Sequence, residues 1–131
     1  HLKISGRKTR SDKSWDLQFS SIKNDSGFAF LSFEEDKRNL NSAVYFYKSN
    51  NHAYYGTGIY TKHAKKNLYG YCLIWKALLY CVERGIYSCE IDDNVKFQWM
   101  SDIDKKLIDI SFLKSGFGGQ LFPRIIFSIL R

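Results

Sequence analysis

The sequence has very little proline and cysteine, and it lacks any long apolar run. The single proline, Pro123, and the nine glycines exclude collagen-like and proline-rich linker sequences. No apolar run approaches the roughly 20 residues that a membrane span needs, since Pro123 and Arg124 interrupt the most apolar tract, residues 121–130. The three cysteines form no CxxC pair, so the sequence predicts neither a disulfide framework nor a zinc site.

The two ends and the length of the chain give a second set of expectations. The first residues do not form a basic-then-apolar leader, and together with the odd number of cysteines this favours a reducing, cytoplasmic location. Because the chain begins at His1 rather than Met, we interpret it either as a piece of a longer protein or as a chain whose numbering starts late. Its 131 residues fit one domain, and we expect a single domain over residues 1–131.

Acidic residues are absent from the middle of the chain. Residues 39–82 contain no Asp or Glu, although five lysines fall there, and the whole chain carries a net charge of +7. Such a segment predicts a basic surface that faces a polyanion, either a pyrophosphate group or a nucleic acid. A solvated lysine-rich face is the alternative that charge alone leaves open.

Aromatic residues make up 17% of the sequence and favour a core that contains a β-sheet. Three β-rich runs, residues 27–33, 43–48 and 52–60, are separated by turn-forming segments, and we expect consecutive antiparallel strands. Within the third run, Gly56 and Gly58 indicate a bulge or a close backbone approach.

The clearest helix is predicted over residues 71–84, where apolar residues recur at the spacing of one helical face. Gly70 precedes it, and Gly85 lies where a helix stop is expected. Additional apolar residues, among them Leu79, widen that face and predict burial on most sides. Residues 86–92 read as a further strand, and a strand–helix–strand order implies a crossover with parallel pairing.

The two ends of the chain are less regular. Residues 7–24 predict a weakly amphipathic helix or an irregular lead-in. Residues 101–110 have helical apolar spacing, and a glycine-rich turn at 116–119 precedes a final apolar strand over 121–130. The expected class is therefore α+β, with a mixed, mostly antiparallel sheet and one dominant buried helix.

Two clusters could bind a ligand. Lys65 and Lys66 precede Gly70 at the start of the long helix, where free backbone N–H groups favour negative charge; a surface turn is the alternative. Lys114 stands beside Gly116 and Phe117 in a glycine-rich segment, which indicates a backbone close to a ligand or a tight turn into the last strand.

Nucleophilic and metal chemistry have little support in the sequence. Cys72 and Cys81 fall on the apolar helix and are predicted to lie in the core, and no metal site is predicted. His52 has no acid partner nearby in the sequence, and the same holds for His63. Asp92 and Asp93 could bind a metal or act as a base. The alternative is that they form a solvated strand end.

An ordered set of motifs resembles the FemAB-like branch of the GNAT acyltransferases. The set comprises Ala53-Tyr54-Tyr55, the Gly-started helix Gly70-Tyr71-Cys72-Leu73-Ile74-Trp75-Lys76-Ala77, Glu83-Arg84-Gly85, a short strand, and Leu113-Lys114-Ser115-Gly116-Phe117-Gly118-Gly119. The resemblance covers residues 43–122. Two departures are Leu113 where the family has Phe, and a strand end at residues 90–93 that lacks glycine.

The resemblance implies a GNAT-like fold and direct acyl transfer to an amine, as an N-acyltransferase or aminoacyltransferase. The donor would be an acyl-CoA or an aminoacyl-tRNA, and the acceptor a small-molecule or peptide amine. It also implies that the chain can be half of a two-domain enzyme or can pair in a homodimer. The implied catalytic residues are Lys114 for the oxyanion and Tyr55 and Glu90 for the amine proton; the implied donor-binding residues are Lys65, Lys66, Gly70, Tyr71, Gly116 and Phe117.

Two other functions stay open at this point. A basic nucleic-acid-binding module would use lysine and arginine with interleaved aromatic residues to bind phosphates and stack bases. The sequence contains no RRM, KH, helix-turn-helix or zinc pattern, which counts against that reading. A catalytically silent GNAT-like scaffold domain is the second alternative.

Overall fold

The computed structural model of the chain describes residues 1–35, 38–91 and 105–122. Its contacts divide the chain into two compact units, His1–Asp92 and Asp93–Arg131, and each is described by itself. The elements of the first unit are α1 (Leu2–Ser5), α2 (Asp12–Lys23), β1 (Gly27–Phe33), β2 (Leu40–Lys48), β3 (His52–Tyr60), α3 (Lys62–Lys66), α4 (Tyr69–Glu83) and β4 (Ser88–Glu90), and the second unit contains α5 (Lys105–Ser115).

The four strands form one mixed sheet in the order β1-β2-β3-β4. The pairs β1–β2 and β2–β3 are antiparallel, whereas β3 and β4 are parallel, with His52 opposite Ser88 and Tyr54 opposite Glu90. Helices α3 and α4 supply the connection that two neighbouring parallel strands require. The predicted α+β class, with a mostly antiparallel sheet and a crossover helix, is confirmed.

A β-bulge interrupts β3 at Gly56, as its sequence predicted. Tyr45 pairs with Thr57 and Phe46 pairs with Tyr55, which leaves Gly56 as the extra residue. A Cβ atom at Gly56 would lie 2.8 Å from the Tyr47 ring, so a larger residue would not fit without displacing that ring. The Gly56 carbonyl accepts a hydrogen bond from Arg10 at 2.9 Å.

One face of the sheet packs against α4 and forms the core. Val44 and Phe46 of β2 are almost fully buried, and Phe28 of β1 stacks on Phe46 with ring centroids 5.2 Å apart. Tyr80 of α4 lies 4.5 Å from the Phe28 ring, and Ile74 is 1% exposed. Burial of such side chains contributes about 1.5–3 kcal/mol each, which makes this contact the main source of stability.

The opposite face of the sheet packs against α2 through polar side chains. Gln18, the buried residue of α2, donates from Nε2 to the Thr57 hydroxyl at 3.1 Å. Ser21 shares a hydrogen bond with the Tyr45 hydroxyl, and burial raises the pKa of Tyr45. The segment left open as a helix or an irregular lead-in is therefore a helix, which Ser11 caps by accepting from the Ser14 N–H.

The boundaries of β2, α4 and β4 differ from the predicted ones. Strand β2 begins at Leu40 because Phe33 pairs with it across the turn. Helix α4 begins at Tyr69, so Gly70 lies inside its first turn rather than before it. Strand β4 spans only Ser88–Glu90, shorter than the predicted 86–92.

The expectation that the long helix is buried on most sides is wrong. Trp75, Leu79 and Val82 are 53%, 46% and 76% exposed, because the sheet covers a single side of the helix. Gly85, directly after the helix, has φ +67°, as predicted for a helix stop.

Several sequence predictions fall outside the described residues. Asp92 and Asp93, and the final strand beyond residue 122, belong to this group. Helix α5 continues to Ser115, past the predicted segment 101–110, and the glycines with positive φ that follow it are Gly118 and Gly119. Among the helices in the described ranges, none has the length and apolar character to cross a membrane.

Candidate functional site

The parallel pair β3–β4 is open at one end. The ladder runs only from His52–Ser88 to Tyr54–Glu90, whereas β3 continues to Tyr60. Within the described residues, the β3–β4 ladder does not reach residues 56–60 of β3. Alternate backbone N–H and C=O groups of a strand point toward such an edge, so it can bind an extended, amide-containing ligand as an additional strand.

Two tyrosines lie at this edge on the α4 side of the sheet. The Tyr55 and Tyr60 hydroxyls share a hydrogen bond at 2.9 Å, and both lie over Gly58, where a Cβ atom would overlap the Tyr55 hydroxyl. The Tyr60 ring in turn lies on Gly70 of α4, 2.8 Å from where a Cβ would be. The close approach predicted at Gly58 is confirmed, and the structure brings Tyr55 and Gly70 into one cluster through Tyr60.

Tyr60 of this pair retains its proton at neutral pH. Burial raises the pKa of the Tyr60 hydroxyl, and the neighbouring Tyr55 raises it further. An unperturbed tyrosine already ionises only near pH 10. The pair can therefore donate a hydrogen bond or a proton to a developing anion, and it is a poor general base.

Helix α4 begins without a capping side chain. Its N-cap residue, Leu68, has φ 58° and ψ 24° and makes no side-chain cap hydrogen bond, and the first turn lacks acidic residues. A left-handed conformation costs a leucine about 1–2 kcal/mol. The Tyr71 N–H donates to the Leu68 carbonyl at 3.0 Å, and the helix dipole with the N–H groups that begin a helix makes such a terminus favourable for an anion. Tyr71, a predicted donor-binding residue, lies half-buried in the same first turn.

Lys65 and Lys66 lie just before this terminus, at the end of the separate short helix α3, and both are exposed. Thr61 fixes the start of α3, since its hydroxyl accepts from the Ala64 N–H at 3.0 Å. The same hydroxyl donates to the buried Asn41 side chain at 2.8 Å. The two lysines are thus anchored to β2 and can add positive charge near the start of α4.

On the other face of the sheet, Glu90 lies beside His52. The His52 Nδ1 atom is 2.7 Å from the Ser88 hydroxyl, and its Nε2 atom is 3.9 Å from a Glu90 carboxylate oxygen. No acid partner for His52 was evident in the sequence, because His52 and Glu90 are far apart along the chain and meet only through the parallel pairing of β3 and β4. Their proximity could have been predicted only by combining the expected crossover with the register of the parallel strands β3 and β4.

Glu90 and Tyr55 therefore lie on opposite faces of the sheet. Tyr55 packs on the core residue Phe46 at 5.3 Å between ring centroids. Cys89, next to Glu90, is hydrogen bonded to Cys81 of α4, so successive side chains of β4 alternate and Glu90 points away from α4.

Two of the three cysteines, Cys81 and Cys89, are poor candidates for a nucleophile. Cys81 is buried, as predicted, whereas Cys72 is exposed and the core position predicted for it is wrong. Burial raises the pKa of the Cys89 thiol to about 12, with Cys81 beside it adding to the shift, and a protonated thiol is unreactive. No group of three or more metal-ligating side chains occurs in the described part of the chain.

The remaining predicted site residues belong to the second unit. Lys114 lies in the last turn of α5, and Gly116 follows the helix. The Phe117 N–H donates to the Lys114 carbonyl at 3.2 Å, so this segment is a helix end followed by a turn.

A broad polar depression lies at the other end of the sheet, between the α2–β1 turn and the β2–β3 turn. Its Lys48 is paired with Asp25 at 2.7 Å, and this hydrogen bond with the lysine lowers the pKa of the Asp25 carboxyl. The charge of Lys48 is therefore already compensated by Asp25, and Arg84 is the other cation in the lining.

Comparison with known proteins supports the fold. No family model matches the chain, and no curated protein matches its sequence. Solved structures do match. A probable acetyltransferase has a TM-score of 0.68 and 11% sequence identity, and the match covers 99% of this chain and 85% of that one. An acetyltransferase of Trypanosoma brucei has a TM-score of 0.66 and 10% identity, with 99% of this chain and 90% of that one covered. An aminoglycoside 6'-N-acetyltransferase of Acinetobacter haemolyticus is similar too, with a TM-score of 0.66 and 9% identity, and the match covers 99% of this chain and 89% of that one.

At such low identity the likeness establishes the fold. The mixed sheet and its helices match GNAT acetyltransferase folds, as predicted. The FemAB-like branch stays a prediction from the sequence motifs. The chain therefore has the fold of the GNAT acetyltransferases.

Proposed function

We propose that this chain is an N-acyltransferase that transfers an acyl group from an acyl-CoA to an amine. The observation that carries the proposal is the open edge of β3 beside the uncapped start of α4, on a fold shared with solved acetyltransferases. An extended donor with phosphates at one end and an acyl group at the other matches this arrangement of a strand edge and a helix terminus.

The start of α4 holds the phosphates of the donor. The positive end of its helix dipole attracts the negative charge, and exposed Lys65 and Lys66 add two cations. A single pyrophosphate matches one helix terminus and two lysines. We therefore favour an acyl-CoA over an aminoacyl-tRNA as the donor.

The amine attacks the acyl carbonyl directly, and the two faces of the sheet handle the two protons. Glu90 accepts the proton that the amine loses, and His52 orients the carboxylate. The Tyr55–Tyr60 pair donates a proton to the sulfur as its bond to the acyl carbon breaks, and the pair recovers that proton from solvent. This division follows from the protonated state of Tyr60 and from the position of Glu90 on the opposite face.

Other assignments stay predictions from the sequence motifs. Lys114 as the cation for the oxyanion, and Gly116 and Phe117 as donor-binding residues, belong to this group. So do the second domain, the FemAB-like branch and the cytoplasmic location.

A turnover assay tests the proposal. The full chain is incubated with acetyl-CoA and a panel of primary amines, and released CoA is quantified by chromatography. We expect Glu90→Gln to lower kcat about 100-fold with little change in KM, whereas the exposed control Glu34→Gln keeps wild-type kcat.

Three outcomes would contradict the proposal. Equal kcat for Glu90→Gln and Glu34→Gln would remove Glu90 from the mechanism. Binding of acetyl-CoA with no turnover on any amine would favour the silent scaffold. Salt-sensitive binding of tRNA, with no binding of acetyl-CoA, would favour a nucleic-acid-binding module.

A further inference from the structure

Helix α4 carries an apolar stripe on the side that faces away from the sheet. Trp75, Leu79 and Val82 are all substantially exposed. At 100° per residue, Leu79 is nearly opposite the buried Ala77 and Cys81 side of the helix. This is the face on which a solvated helix normally carries charged residues.

The spacing of the stripe is that of a helix–helix seam. Trp75, Leu79 and Val82 are separated by four and three residues, the alternation that places side chains along one edge of a coiled coil. Single exposed apolar residues are ordinary on protein surfaces, whereas a contiguous stripe with a tryptophan indicates a contact surface. Tyr87, which follows the helix in sequence, is 86% exposed as well.

Two opposite charges flank the stripe on the same side. Lys76 and Glu83 are one heptad apart, about 10.5 Å along the helix. Neither makes an ion pair with another described residue. When two such helices pack antiparallel about a two-fold axis, this flank of one helix faces the same flank of the other, and the two chains run in opposite directions. Lys76 of each copy then meets Glu83 of the other.

We propose that the outer face of α4 binds a second copy of this chain, as an antiparallel helix pair. Leu79 of one copy packs on Val82 of the other, Trp75 lies near Tyr87, and two reciprocal Lys76–Glu83 ion pairs fix the register. The apolar seam and the self-complementary charges together identify a second copy as the occupant. This association is independent of acyl transfer.

The contact is small. Helix α4 has 15 residues and is about 22 Å long, so a pair of such helices buries less than a standard interface. We therefore expect a reversible dimer whose population rises with concentration.

Sedimentation equilibrium of the full chain, from about 10 µM to about 1 mM, tests the self-association. The wild type should shift from monomer to dimer across this range, and Leu79→Glu should stay monomeric. Leu17→Glu, at a 60% exposed position of α2, is the matched control and should dimerise as the wild type does. A wild type that stays monomeric throughout would overturn the proposal, as would a Leu79→Glu chain that dimerises normally.

Charge reversal tests the register with surface variants that leave the core intact. Lys76→Glu and Glu83→Lys each replace two attractive pairs by two repulsive ones, and each should weaken the dimer about tenfold or more. The double variant restores both pairs and should regain a Kd within about threefold of the wild type. If the double variant instead loses as much dimerisation affinity as the two single variants combined, the antiparallel register is refuted. Circular dichroism confirms that every variant is folded.

Discussion

Replacing Gly58 with alanine should separate the Tyr55–Tyr60 pair. The new Cβ would overlap the Tyr55 hydroxyl and would lie 2.7 Å from the Tyr60 hydroxyl and 2.9 Å from the Tyr60 ring. The rings pack on other groups, Tyr55 on Phe46 and Tyr60 on Gly70. Neither ring can therefore move without disturbing a further contact.

The magnitude follows from three contributions. Overpacking of a packed site costs about 1–3 kcal/mol, and loss of the hydrogen bond between Tyr55 and Tyr60 costs about 0.5–1.5 kcal/mol. The smaller conformational freedom of alanine in the unfolded chain offsets about 0.4–1 kcal/mol. We expect Gly58→Ala to lower the free energy of unfolding by about 2 kcal/mol, and to lower kcat because the proton donor to the sulfur is displaced.

A double-mutant cycle isolates the cause. Tyr55→Phe removes the atom that the new Cβ would overlap, so Gly58→Ala should cost about 1 kcal/mol less in that background than in the wild type. Urea denaturation of the four proteins gives the free energies. Strictly additive effects would refute the claim that Gly58 makes room for the Tyr55 hydroxyl.

Three further predictions follow from the same structure. Lys65→Ala combined with Lys66→Ala should raise KM for acetyl-CoA about tenfold and leave kcat within about twofold, in steady-state kinetics, because phosphate binding is equal in ground and transition states. Gln18→Ala should lower the free energy of unfolding by about 1–2 kcal/mol in urea denaturation, since it leaves the buried Thr57 hydroxyl without its donor. The free energy of unfolding should also fall as pH rises from about 9 to about 12, because the unfolded Cys89 thiol ionises near 9 and the folded one retains its proton; in Cys89→Ala, denaturation at pH 8 and pH 10 should show a smaller fall.

The strands and the main helix could be predicted because their signals are local. The first strand and the third, Gly27–Phe33 and His52–Tyr60, match the predicted bounds residue for residue. Each is an apolar, aromatic run between turn-forming residues. The bulge at Gly56 was equally local, because a glycine within a strand has few other uses.

Other features could not be predicted because they depend on tertiary contacts. Glu90 meets His52 through a parallel register that no local pattern specifies. Leu68 adopts a left-handed conformation that a sequence would normally signal with glycine. Burial on most sides of α4 was predicted from hydrophobicity alone, and hydrophobicity does not distinguish a core contact from a surface that binds another chain.

For the candidate site, the sequence indicated the positive charge of Lys65 and Lys66 and the glycine contacts near Tyr55. It could not show that Tyr55 and Glu90 lie on opposite faces of the sheet, since the strands that carry them are joined by a crossover. This separation assigns them different proton transfers in the proposed mechanism.

Isothermal titration of acetyl-CoA into the full chain tests the central claim, an acyl-CoA donor site at the start of α4, most directly. We predict one acetyl-CoA bound per chain, with a Kd below about 1 mM, and affinity about tenfold weaker when both Lys65 and Lys66 are alanine. A parallel titration with bulk tRNA at low and high salt provides the comparison. Absence of acetyl-CoA binding at millimolar concentration, or affinity unchanged by the two lysine substitutions, would contradict the account.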